Sequence, residues 1–269
     1  MPFVEARGLR FHVQELGSEG GGPPVVMLHG LFTGSLASWW FTAAPAVART
    51  HRVRLIDLRG HGLSDCPPTG YDTATMVDDV LALTDDLEPF AVVGHSYGGL
   101  LGLRLAIDHP ARVTRLACIE APLVGMKDPG SERPGGAAAK SAEQGPDAER
   151  DAPSSEATDT ERRLLTETSI LADLRAEPPV TDDDLRAVAV PALYAFGSRS
   201  WCAPGAGRVR RVVPAARCHV LEGGHAIHLD ARREVADLLV GFLGGASGHP
   251  DHADPDHAGA PAEEHIPYG

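Results

Sequence analysis

An apolar run, Phe90-Ala-Val-Val, passes directly into Gly94-His95-Ser96-Tyr97-Gly98-Gly99 and then into a helix-period stretch from Leu100 to Asp108. Few folds tolerate that passage. A serine in G-x-S-x-G between a strand and a helix predicts a sharp turn that lifts its hydroxyl above the end of a sheet. The glycines are required because side chains there collide with the neighbouring backbone. Serine alone is a weak nucleophile, so the pattern also demands a base from elsewhere in the chain. A Gly-rich turn without chemistry is the bland alternative, and the strand and helix on either side argue against it.

The same passage from short strand to helix recurs. Val25–Leu28, Val53–Ile56, Val113–Ile119, Ala192–Phe196 and Cys218–Leu221 are further apolar runs, separated by 20 or more residues. Continuous runs of this kind predict parallel strands covered on both faces by helices. Phe3 to Leu16 predicts an antiparallel edge hairpin, Val77–Leu87 a helix, and Val235–Leu243 a closing helix ended by Gly244-Gly245. The fold class expected is therefore α/β, with a mostly parallel central sheet, helices on both faces and a short insertion.

Two segments break the pattern. Residues 126–160 are Gly, Pro, Ala, Ser and charge with little to bury, and are expected to be disordered. From Thr160 to Glu177, Leu164, Leu165, Ile170, Leu171 and Leu174 predict one side of a helix. The domains expected are a core of 1–122 and 185–244, a lid insertion of 123–184, and a disordered acidic, His-rich tail of 245–269.

Charge narrows the partners. Acidic residues outnumber basic ones 37 to 24, for a formal net charge of −13. That balance argues against nucleic acid and against an anionic membrane surface. The excess is concentrated in 127–184 and the tail, leaving the core nearly neutral. Neither a leader pattern nor a bilayer-length apolar run is visible, so a cytoplasmic protein is expected. Only two of the 24 basic residues are lysines, a bias that points to a GC-rich bacterial genome. Cys66, Cys118, Cys202 and Cys218 lack C-x-x-C spacing, and neither a disulfide scaffold nor a cysteine-based metal site is expected. His249, His252, His257 and His265 lie in a tail with nothing to fix a coordination geometry, so no metal and no cofactor are expected.

Four motifs in order resemble the α/β-hydrolase family: Leu28-His29-Gly30, Asp57-Leu58-Arg59-Gly60-His61-Gly62-Leu63-Ser64-Asp65, the turn at Ser96, and Gly223-Gly224-His225. The resemblance covers about 20–122 and 185–244. It implies Ser96 as nucleophile and His225 as base, with His228 as rival base. His29 and His95 flank the site, and Asp57, Arg59 and Asp65 are expected to hold one another. In most members an aspartate stands where this chain has Ser200. Glu120, in Ile119-Glu120-Ala121, looks like the acid that a branch of the haloalkane dehalogenases carries one strand earlier. The resemblance therefore implies a serine hydrolase whose triad acid is Glu120, with Asp230 a poorer candidate.

The remaining expectations follow from that assignment. An oxyanion hole is expected from the backbone N–H groups of Tyr97 and Leu31, with Phe32 competing for the latter role. Phe32, Trp39, Trp40, Leu123 and Trp201 are candidate substrate-binding residues, and each aromatic among them would serve equally as core. A serine at the turn disfavours dehalogenase and epoxide-hydrolase chemistry, which in this family begins from aspartate. What remains is acyl transfer on an ester, thioester or lactone of an apolar or polyketide-like small molecule. Two alternatives are a carbon–carbon bond hydrolase or lyase using the same triad, and a non-catalytic binding protein on the same fold. No P-loop or dinucleotide fingerprint is present.

Overall fold

The computed structural model describes residues 2–17, 22–123 and 155–245. The disorder expected for 126–160 and for the tail thus falls largely outside the described residues.

Eight strands form one sheet: β1 (Phe3–Ala6), β2 (Leu9–Leu16), β3 (Gly22–Leu28), β4 (His51–Ile56), β5 (Phe90–His95), β6 (Val113–Ile119), β7 (Ala192–Gly197) and β8 (Arg217–Leu221). Their spatial order is β1-β2-β4-β3-β5-β6-β7-β8. The β1–β2 hairpin and the β2–β4 pairing are antiparallel, and every later pairing is parallel. The expected edge hairpin and buried parallel strands are both present. Val25, Val26, Met27 and Leu28 are all fully buried because β3 is covered on both faces.

Alternate side chains of each central strand enter different layers. Val26 and Leu28 pack with Val77 and Val80 of α3 (Thr73–Ala82), which follows the short helices α1 (Ala37–Trp40) and α2 (Ala44–Val47), and with Leu101 and Leu105 of α4 (Tyr97–Asp108). Val25 and Met27 pack with Leu239 and Phe242 of the closing helix, Arg232–Gly244. Between β6 and β7 run Ser155–Glu167, Ile170–Ala176 and Asp182–Arg186, and Leu164, Ile170 and Leu185 join the first of these layers. Among the described residues no helix is long and apolar enough to cross a membrane.

Three expectations are corrected. The stretch Thr160–Glu177 is two helices, because Ser169 N–H leaves the helical ladder to donate to Pro68 O at 2.8 Å. Helix α3 begins at Thr73 rather than Val77, because Asp72 caps it by accepting from Thr75 N–H. It ends at Ala82, where single turns carry the chain on to Leu87. Nor do Asp57, Arg59 and Asp65 hold one another. Arg59 forms a two-pronged buried pair with Asp79 at 2.6 and 2.7 Å, Asp57 binds His12 and the N–H groups of Leu36 and Leu63, and Asp65 binds Arg10.

Candidate active site

Strand order reverses direction at β3. The chain moves from β3 outward to β4 and then crosses to β5 on the other side, which opens a crevice beyond the C-terminal ends of β3 and β5. His29-Gly30 leaves β3 there, and Ser96 leaves β5 there. Ser96 has φ 52° and ψ −119°, an uncommon conformation for a residue with a side chain. A Cβ on Gly94 would lie 2.1 Å from Gly98 O, and one on Gly98 would lie 2.5 Å from Leu28 O. The turn therefore closes only around glycine.

The histidine comes from the loop after β8. Its Nε2 lies 2.9 Å from Ser96 Oγ, and its Nδ1 lies 2.9 Å from Glu120 Oε2. Nδ1 faces a carboxylate and so carries the proton, leaving the Nε2 lone pair for the serine hydroxyl. Two contacts fix this loop. His95 donates from Nε2 to His225 O at 2.9 Å, and Gly224 N–H donates to Asp230 Oδ2 at 3.3 Å. Asp230, weighed above as an acid, serves the loop and not the imidazole. His228, the rival base, is buried with its ring centroid 3.9 Å from that of His95 and 5.4 Å from that of Trp39.

Glu120 ends β6 with φ 58° and is fully buried. Its N–H donates to Ala195 O at 2.8 Å, which turns the side chain toward the end of β7. There Gly197 N–H donates to Oε1, and Ser200 Oγ donates to Oε2 beside the His225 proton. Ser200 is the residue that the sequence reading missed as a participant. Its place at the end of β7, where relatives carry the acid, was the available signal.

The loop after His29 is held by two buried histidines. His61 donates from Nδ1 to Arg59 O and accepts Phe32 N–H at Nε2, at 2.9 Å. His29 donates to Gly30 O and accepts Leu58 N–H. Phe32 N–H is thus committed to His61, whereas among the described residues the N–H groups of Leu31 and Tyr97 have no hydrogen-bond partner.

The expected lining is only partly gathered here. Trp201 stacks on His225 with ring centroids 5.1 Å apart. Phe32 lines an open cleft of about 420 Å³ with Thr33, Ser35, Leu63 and Thr160. Trp39 is core instead, fully buried with Nε1–H donating to Leu28 O at 2.9 Å, because that polar edge needs a buried acceptor. Trp40 packs against the same layer, and Leu123 is fully buried. A second cavity, about 60 Å³, lies between Tyr97, Leu100, Pro122, Leu174, Glu177 and Val180. Glu120, Cys202 and His225 offer three metal-binding atoms within 4.8 Å of one another. Two of those atoms already share the Nδ1 proton, which a metal would have to displace.

Burial depresses four histidines packed around the centre. It lowers His29 and His95, takes His61 down to about 3, and takes His228 to about 4 with help from neighbouring His225. The unfolded chain binds protons on these rings near 6.5 that the native protein refuses. Stability is therefore lost as pH falls below that value and is regained as pH rises through the window. Each ring contributes about 1.4 kcal/mol per pH unit well inside it. Urea unfolding from pH 7 to 4.5 is expected to show that decline, and His228→Phe to make it shallower. A flat stability profile would contradict the neutral assignment.

A family model described as the alpha/beta hydrolase fold matches residues 23–166, more than half of the chain. The chain belongs to the α/β-hydrolase family. It is similar to the 2-hydroxymuconate semialdehyde hydrolase of Pseudomonas sp. (strain CF600), 35% identical over 118 residues, which are 42% of this chain and 40% of the relative. A soluble epoxide hydrolase of Corynebacterium sp. (strain C12) is 38% identical over 117 residues, 42% of this chain and 38% of that one. The matches thus span about two fifths of these relatives. Among solved structures, the enol-lactonase of Burkholderia xenovorans LB400 covers 91% of this chain and 100% of its own, with TM-score 0.69 and 21% identity. An N-acyl homoserine lactone degrading enzyme covers 90% and 100%, with TM-score 0.70 and 26% identity. This α/β-hydrolase therefore shares about two fifths of its length with the first pair and its fold with the second.

Proposed function

We propose that this α/β-hydrolase is a serine hydrolase that cleaves a carboxylic ester, thioester or lactone of an apolar small molecule through an acyl-enzyme on Ser96. The observation that carries the reading is the continuous line Ser96 Oγ, His225 Nε2, His225 Nδ1, Glu120 Oε2, with 2.9 Å at each polar contact. Ser96 Oγ attacks the carbonyl carbon while His225 Nε2 takes its proton. The N–H groups of Leu31 and Tyr97 receive the oxyanion. The imidazolium, held by Glu120, then protonates the leaving oxygen or sulfur. Water, losing a proton to Nε2, attacks the acyl carbon and releases the acid, and the proton returns to Ser96.

In this reading 1–122 and 185–244 are the hydrolase core and 123–184 the lid over the crevice. The case for a mere binding protein was the serine at position 200, and Glu120 answers it by reaching the same imidazole from β6. Similarity to the 2-hydroxymuconate semialdehyde hydrolase favours one rival, carbon–carbon bond hydrolysis by the same residues. Turnover of p-nitrophenyl esters, acyl thioesters, lactones and vinylogous diketones separates the two. Ester or lactone turnover, with an acyl adduct on Ser96 trapped at acid quench, is the expected result. Turnover confined to diketones would replace the proposal with its rival.

A further inference from the structure

Glu120 is fully buried, and among the described residues no lysine or arginine pairs with it. A carboxylate in that position must find donors on the protein or lose its fixed orientation. Three are present: Gly197 N–H on Oε1, and Ser200 O–H with His225 Nδ1–H on Oε2. The backbone and the imidazole belong to any triad of this kind. The serine hydroxyl is a further donor, and by resemblance to the family it stands on the residue where most members carry the acid itself.

We propose that Ser200 is a positioning residue for the reaction, orienting Glu120 toward His225 through a directed hydroxyl hydrogen bond. The assignment rests on the hydrolase reading above. A hydroxyl is usually free to rotate, but this one is not. Cys202 N–H donates to Ser200 Oγ at 3.0 Å, occupying a lone pair and aiming the proton at Glu120. The backbone holds the residue in turn, with Ser200 N–H on Gly197 O at 3.1 Å and Ala203 N–H on Ser200 O at 3.0 Å. A one-way relay results, from Cys202 N–H through Ser200 O–H to Glu120 Oε2, which also receives the His225 proton. Ser200 is 8% exposed, so water cannot readily replace the hydroxyl.

Without that donor, Oε2 keeps only the imidazole and Oε1 only Gly197 N–H, and the carboxylate is held less firmly about its last torsion. The His225 ring then samples orientations in which Nε2 misses Ser96. Substrate binding is untouched, since Ser200 lies behind the acid and away from the nucleophile. Loss of one hydrogen bond to a charged group predicts a fall in kcat of about tenfold or more.

The test is a double-mutant cycle on one ester that the wild type turns over, with folding checked by circular dichroism. Ser200→Ala is expected to lower kcat about tenfold with KM within about twofold. Ser200→Thr, which keeps the hydroxyl, is expected to recover most of the rate and keeps the test informative if the alanine variant unfolds. In the Glu120→Gln background, Ser200→Ala is expected to add no further loss, since its effect passes through the acid. Wild-type kcat in Ser200→Ala, equal losses in the Ala and Thr variants, or a full further loss in the Gln background would each overturn the proposal. Wild-type activity that survives Ser96→Ala would instead remove the hydrolase reading beneath it.

Discussion

Ser96→Ala is expected to lower kcat by about five to six orders of magnitude and to abolish labelling by a fluorophosphonate probe, while the fold is kept. The size follows from the site's construction. Removing the hydroxyl removes the nucleophile, and His225 then has no proton to accept in the acylation step. What survives is catalysis by the oxyanion donors and by binding, about 10³–10⁴ above water. The fold is kept because alanine carries the same Cβ, so strain at φ 52° is not increased, and because among the described residues Ser96 Oγ bonds to an imidazole that is one-third exposed. Its backbone bonds, N–H to Ile119 O and O to the N–H groups of Gly99 and Leu100, do not involve the hydroxyl. Urea unfolding of the variant is expected within about 1 kcal/mol of wild type. Labelling of the wild type that persists unchanged in Ser96→Ala would assign the reactive hydroxyl elsewhere.

The architecture was legible because both faces of the sheet are covered. A strand buried on two sides must be apolar throughout, so Val25–Leu28 and Phe90–Val93 announced themselves without any alternation to decode. The turns that carry Ser96 and His225 were legible because each closes around glycine, and glycine leaves a mark in sequence. Glu120 was half legible: an acid at a strand end and a serine where an acid is usual were both visible. Their contact was not. Ser200 reaches Glu120 across 80 residues, and no local pattern encodes a side-chain hydrogen bond at that separation. The same limit explains Arg59, whose carboxylate partner lies 20 residues away on α3 while nearer acids were available. For Trp39 the sequence left lining and core equally open, and its N–H, meeting a buried carbonyl, took the ring into the core. Where the helices of 155–186 split was decided by Pro68 O, an acceptor from a distant loop that pulls Ser169 out of register.

Glu120→Gln is expected to lower kcat by about 10⁴ with KM little changed, although the replacement is isosteric. The argument turns on donors and acceptors. Around the carboxylate every partner donates: Gly197 N–H on Oε1, and Ser200 O–H with His225 Nδ1–H on Oε2. A glutamine has one oxygen and one NH₂ for those two positions. With its oxygen toward Gly197, the NH₂ faces the imidazole, which can meet it only by moving its proton to Nε2. That tautomer presents N–H to Ser96 and has no lone pair for the serine proton. With the oxygen toward His225, the tautomer is kept, but the NH₂ opposes Gly197 N–H, at a cost of about 1–3 kcal/mol for a buried donor left unpaired. The first orientation costs rate through the tautomer, and the second costs stability and also rate, because a neutral amide cannot balance the charge of the imidazolium. The balance between them is measurable as paired changes in kcat and in urea midpoint. A variant within tenfold of wild-type kcat and with an unchanged midpoint would mean that His225 takes its orientation from another group, and Glu120 would then be only a buried structural anion.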